Sequence, residues 1–156
     1  MREILFRAKT EPNCKDVMNG KIIKNPKWIY GYVDLGYMHD CKAPLISDEK
    51  GNKTYKCQYE TIGQFTGLTD KNGKKIFEGD IVNTYNGTKT LKELEKISYK
   101  GISFIGVIKW NLTEARFYLE HLDGIKWHLK NDRFYEIIGN IHDNPELLEE
   151  QRNGKS

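Results

Sequence analysis

A mainly β protein is predicted by three observations: side chains alternating with a period of two, short runs of β-branched and aromatic residues set between turn residues, and little helical spacing. Nine Tyr, six Phe and three Trp in 156 residues supply the large side chains for a core. In 27–33, KWIYGYV, the alternation puts Trp28, Tyr30 and Tyr32 on one face and Ile29 and Val33 on the other. Residues 76–85, 102–110, 115–122, 125–130 and 134–141 are further strand-like runs. Five runs so closely spaced predict a small barrel or sandwich. Residues 67–143 are thus expected to form one β-rich unit, to which residues 1–66 add strands.

Two stretches read as helix, both short and peripheral. In 90–97, TLKELEKI, apolar residues recur at intervals of three, and 144–150, NPELLEE, has Asn as N-cap, Pro in the first helical position and an acid in the first turn. Residues 151–156 read as a frayed tail.

Length and composition bound the function. The chain is long enough to bury a core without a metal or disulfide. Neither a secretory apolar region nor a membrane-spanning run can be drawn, so an intracellular, cytoplasmic protein without membrane partners is expected. Cys14, Cys41 and Cys57 are odd in number and form no C-x-x-C clip, which fits free thiols in a reducing compartment. The net charge of +3 is small, with the excess among residues 1–66, where eleven Lys and Arg face eight acids.

The stretch 67–82, GLTDKNGKKIFEGDIV, invites four chemistries. A phosphate-binding loop needs G-x-x-x-x-G-K-[ST] before a helix, but Gly73-Lys74 is followed by Lys75 and a strand pattern. A calcium loop with Gly73 at its sixth position would begin at Leu68 and end at Gly79, neither of them a ligand. Asn72-Gly73 between strand-like runs fits a two-residue type I′ turn. Glu78 and Asp80, two apart in an uninterrupted strand, would share a face and offer paired carboxylates for a metal or for acid–base work. The structural alternative, a bend at Gly79 with Asp80 accepting a nearby backbone N–H, is the preferred reading.

Other chemistry is thin. His39-Asp40-Cys41 with Cys57 matches no zinc spacing. His121, His128 and His142 are scattered, and no nucleophile elbow or protease-like cysteine occurs. No catalytic, cofactor or metal residues are assigned. The strongest interaction signal is 21–32, in which Lys21, Lys24 and Lys27 adjoin the aromatic series Trp28, Tyr30 and Tyr32, a combination that tracks a phosphate backbone while bases stack on rings. A half-buried strand with solvated lysines has the same pattern and is the preferred reading.

The pieces MREILFRAK, KWIYGYV, YETIGQFTGLTDKNGKKIFEGDIV, GVIKW and YEIIGNIHDNPELLEE, in that order, resemble the YopX family of phage and prophage proteins. Lys9 stands where that family often has Trp, and 88–100 looks like an insertion carrying the helical stretch. The resemblance implies a mostly β protein with an irregular N-terminal part and a small SH3-like barrel; with the strand and helix readings above this gives a β-rich region over 1–66, the barrel over 67–143 and a short helix and tail over 144–156. It implies no activity or cofactor, and its setting is that of a phage or prophage accessory protein in a bacterial cell. The expectation is a non-catalytic binding or assembly module with a protein or nucleic-acid partner. Single-stranded nucleic-acid binding through 21–32 and a metal-dependent enzyme using Glu78 and Asp80 are the alternatives. Exposed strand edges also invite homo-oligomers.

Overall fold

The computed structural model describes residues 3–34, 44–85, 103–131 and 133–153. The chain is mainly β, with 52% of the described residues in strand and 6% in helix, and divides into two compact units, Met1–Phe65 and Thr66–Ser156. The expected helix at 90–97 lies outside the described residues.

In the first unit the order across the main sheet is β6 (Thr54–Lys56), β5 (Leu45–Asp48), β4 (Trp28–Asp34), β1 (Phe6–Lys9) and the start of β7 (Gly63–Thr69), each pair antiparallel or joined by backbone bonds. A small hairpin of β2 (Cys14–Lys15) and β3 (Ile22–Ile23) accompanies it. Ala8, Ile29, Ile46 and Tyr55 lie on one side of the main sheet by register and pack with Cys14 and Cys57 as the core, flanked by Phe6, Ile23 and Ile62. Asp16, fully buried, locks the hairpin loop: its Oδ1 accepts the N–H of Met18 at 3.0 Å and of Thr54 at 3.4 Å. The outer carbonyls of β6 are also taken up, Thr54 by the Val17 N–H at 2.9 Å and Lys56 by the Glu11 N–H at 3.0 Å. The β6 edge is sealed.

In the second unit the end of β7 leads into β8 (Lys75–Phe77). A sheet of order β12 (Lys126–His128), β11 (Arg116–His121), β10 (Ser103–Asn111), β9 (Asp80–Tyr85) and β13 (Tyr135–Asn140) follows, antiparallel throughout. It is an open sheet, with β12 and β13 at its edges and unpaired with each other among the described residues. Ile76, Val82, Ile108, Phe117, Leu119 and Tyr135 form its core. Helix α1 (Glu146–Asn153) follows. The Asn144 side chain, expected as its cap, instead accepts the Asn140 N–H at 3.4 Å. The bulge at Ile137/Gly139 brings Gly139 so close to Asn144 and Leu147 that an added Cβ would meet them at 2.7 and 2.9 Å.

Two details of 67–82 differ from the sequence reading. The hairpin loop is not a two-residue type I′ turn: Asp70 N–H donates to the Lys74 carbonyl at 2.8 Å, and Gly73 N–H to the Asp70 carbonyl at 3.0 Å. Among the described residues positive φ in non-glycine residues occurs only at Asn13 and Ala115, so Asn72 stays at negative φ while Gly73 has φ +77°. This is a three-residue loop, a type I turn closed by a glycine bulge. Asp70, only 7% exposed, selects it, its Oδ1 accepting the Asn72 N–H at 2.8 Å and the Lys74 N–H at 2.9 Å. The expected single strand 76–85 is two strands, β8 and β9, interrupted at Gly79, whose φ is +82°.

Replacing Asp70 with Ala leaves three part-buried N–H donors, of Asn72, Lys74 and Ile137, without that acceptor and is expected to cost about 2–3 kcal/mol. Gly73→Val is expected to cost about 1–2 kcal/mol, because a β-branched side chain is strained at positive φ. Urea denaturation of the two variants beside the wild type checks both values. Burial pushes the Cys57 thiol from its ordinary 9.0 up to about 12, with the neighbouring Cys14 adding to the shift, and burial raises Cys14 as well. Folding therefore disfavours the thiolate: this contribution to stability is whole below pH 9 and is lost as pH rises from about 9 to about 12. The melting temperature is expected to fall over that window, less steeply in Cys57→Ala, and iodoacetamide at pH 8 is expected to modify Cys14 and Cys57 only after unfolding.

Candidate binding face

Strand β4 carries the candidate site because its two faces have different fates. Ile29 is 8% exposed and belongs to the core, whereas Tyr30 and Tyr32, on the opposite face, are 42% and 47% exposed. Trp28 shares their face and is half-buried. The register adds residues from the neighbouring strands: Lys9 lies opposite Trp28, Arg7 opposite Tyr30 and Ser47 opposite Tyr32. Directly opposed residues of an antiparallel pair project to the same side. The Arg7 guanidinium sits 4.8 Å from the Trp28 ring centre and the Lys9 ammonium 5.6 Å from it. Both distances suit a cation held against a π face.

Lys21, Lys24 and Lys27 are all exposed but do not join this face. The Lys27 ammonium lies 5.4 Å from the ring of Tyr55, which belongs to the core side of the sheet. Lys21 and Lys24 flank β3, whose Ile23 packs on that same core cluster. The surface expected over 21–32 is thus split, its rings on one side of the sheet and its lysines on the other. The cations beside the rings are Arg7, 5% exposed and packed against Trp28, and Lys9, half-buried. Their signal in the sequence is the alternation FRAK, and it acquires meaning only once β1 pairs with β4.

Glu78 and Asp80 do not form the pair that a continuous strand would give, since Gly79 breaks the alternation. Asp80, 1% exposed, accepts the Phe77 N–H through Oδ2 at 2.8 Å, closing the turn. Gly79 is anchored by its N–H to the Ile108 carbonyl at 2.8 Å and by its carbonyl to the Ile141 N–H at 3.0 Å. His39, Asp40 and Cys41 lie outside the described residues, and Cys57 is buried in the core. His121, 7% exposed, packs against Phe104 and Trp127 at ring separations of 5.3 and 5.9 Å, and its Nδ1 lies 2.6 Å from Asp123 Oδ1. The register places His128 on the other face of that sheet. Among the described residues no group of three or more His, Cys, Asp or Glu is placed to hold a metal ion, and no helix is long and apolar enough to cross a membrane.

A mainly β chain of two units, with an aromatic face on the first and its buried acids spent on turns, is the class that fold and site define. The family model for YopX protein matches residues 13–149, and the chain belongs to the YopX family. No curated protein matches it. Among solved structures it is similar to the crystal structure of protein EF1440 from Enterococcus faecalis, at 26% identity over 95% of this chain and 99% of that one, with a TM-score of 0.43.

The role of Asp80 is open to a direct measurement. As a turn-closing acceptor it is expected to lower stability by about 1–3 kcal/mol when changed to Ala and by less when changed to Asn, which keeps an acceptor oxygen. Thermal melts of both variants and of Glu78→Gln, with and without magnesium, manganese or zinc, check this. Stabilised variants together with a metal-dependent rise in the wild-type melting temperature would reverse the assignment.

Proposed function

We propose that the protein is a non-catalytic binding or assembly module, an accessory protein of a phage or prophage acting in the bacterial cytoplasm, and that its contact surface is the outward face of β4. The observation that carries this reading is the exposure of Tyr30 and Tyr32 beside Trp28, three rings in succession on one strand face. Single exposed apolar residues are ordinary, but clustered Tyr and Trp are what binding surfaces concentrate, because they bring large contact area at little entropic cost. The position on a paired strand favours the same reading, since the rings are held in a fixed spacing before any partner arrives.

Lys9, half-buried beside the rings, favours single-stranded nucleic acid as a second reading, with bases stacking on rings while its ammonium meets a phosphate; Arg7, 5% exposed, backs the Trp28 ring instead of reaching a ligand. Capture of partners from phage-bearing or lysogenic cells, with and without nuclease, separates the two. Tyr30→Ala with Tyr32→Ala is expected to weaken binding of the captured partner at least about tenfold, close to 1.4 kcal/mol, with little change in melting temperature because both rings are exposed. Changing Lys21, Lys24 and Lys27 together to Glu is expected to leave binding in place. Retention that falls steeply with salt selects nucleic acid. Undiminished binding by the double tyrosine variant would remove the proposed face.

A further inference from the structure

We infer that the outer edge of β12 is a second docking site, one that takes an acidic segment in extended conformation by strand addition. In the hairpin of β11 and β12 the His121 N–H donates to the Ile125 carbonyl at 2.8 Å, and the pairs that follow are Glu120 with Lys126, Leu119 with Trp127 and Tyr118 with His128. Hydrogen-bonded and non-hydrogen-bonded pairs alternate in an antiparallel ladder. Trp127 therefore directs its backbone groups at β11, while Lys126 and His128 direct theirs away from the sheet. Among the described residues those outward groups meet no strand.

Comparison with the other edge of the same sheet shows that this opening is not general. Beside β13 the Lys71 N–H donates to the Tyr135 carbonyl at 2.9 Å, the Ile137 N–H reaches Asp70 Oδ2 at 3.4 Å, and Lys71 pairs with Glu136 at 2.7 Å. The outer edge of β6 in the first unit is sealed in the same manner. At β12 basic groups prevail instead, and Glu114, the acid that feels His128 and Lys126, is already paired with Arg116. Lys126 and Lys130 are exposed, and the Arg133 guanidinium lies 5.0 Å from the ring of Trp127. Glu120, the acid opposite Lys126, already pairs with Lys109. Among the described residues a partner strand running along β12 thus meets backbone donors and acceptors that no strand takes up, and cations beside them.

The charge decides the occupant. A second copy pairing edge to edge would bring Lys126 and Lys130 of two chains together, and like charges set opposite each other destabilise a strand pair. An extended segment rich in Asp or Glu gains both the ladder and the ion pairs, the usual division in strand addition between backbone affinity and side-chain selectivity. This site is independent of the aromatic face on β4.

A display library of random ten-residue peptides selected on the full chain tests the inference, with the winning sequence synthesised, labelled and titrated by fluorescence polarisation. The expected outcome is enrichment of acidic sequences rich in β-branched residues. Their affinity should fall tenfold or more with His128→Pro, which deletes an outward N–H at a position where an edge strand tolerates proline. It should be retained with His128→Ala, which keeps that N–H, and lost with Lys126→Glu and Lys130→Glu together, circular dichroism showing all variants folded. No enrichment, enrichment of non-acidic sequences, or binding indifferent to His128→Pro overturns the inference. So does concentration-dependent dimerisation that His128→Pro abolishes, which assigns the edge to a second copy.

Discussion

The carboxylate of Asp70 joins a hairpin loop to a strand far along the second unit. Burying a carboxylate is costly unless several donors replace its water, and Asp70 finds three, the N–H groups of Asn72, Lys74 and Ile137. Two lie in its own loop and fix the turn. The third lies 67 residues away on β13 and ties that strand's outer edge to the hairpin. One side chain thus sets a local conformation and protects a strand edge, the feature of β proteins most exposed to unwanted pairing. Asp16 does the same in the first unit, accepting Met18 in its own loop and Thr54 on the edge strand β6. Asp80, accepting the Phe77 N–H, closes the turn after β8 in the same way.

This use of acids explains why GLTDKNGKKIFEGDIV looks like a site and is a piece of framework. Asn72-Gly73 is compatible with two hairpin loops, one needing two positive φ angles and one needing a single one. The choice between them rests on Asp70, and the Asp70 carboxylate is pinned partly from β13, beyond the reach of any local window. The break at Gly79 was hidden for a related reason: Ile76, Phe77, Ile81 and Val82 are all buried, so their apolar character reads as one strand although the chain turns between them. By contrast β4 was legible because it runs for seven residues with one face buried, and a period of two then fixes every side chain. The two-residue strands β2 and β3 are too short to show any period.

The candidate site was legible in half. The rings of Trp28, Tyr30 and Tyr32 follow from alternation, but their cations do not, because strand pairing is a long-range choice. Lys21, Lys24 and Lys27 precede the rings in the chain, yet the Thr10 N–H holds the Lys27 carbonyl at 2.9 Å and the Asn13 N–H the Lys24 carbonyl at 3.1 Å, which keeps the segment with the 10–15 stretch on the core side. Arg7 and Lys9, some twenty residues upstream, reach the rings because β1 lies antiparallel to β4 with Lys9 facing Trp28. Nearness in sequence and nearness on a sheet face are different relations, and only the second places a cation over a ring.

Gly31 links the core face of β4 to its aromatic one. Its position between Tyr30 and Tyr32 turns it inward, and a Cβ there would stand 1.7 Å from the Ser47 carbonyl oxygen, so only glycine admits β5 at this distance. Close approach of β5 is what sets Ser47 opposite Tyr32 and ties Ser47 Oγ to Thr54 Oγ1 at 2.8 Å. The two exposed rings therefore stand on a strand paired on both sides, with their separation fixed by the pleat and not by a loop. Rings held in this way lose little freedom when a partner covers them, and the entropy that binding ordinarily costs is already spent in folding the sheet. The aromatic face thus rests on a constrained strand, whereas the buried acids Asp16, Asp70 and Asp80 accept backbone N–H groups that fix turns.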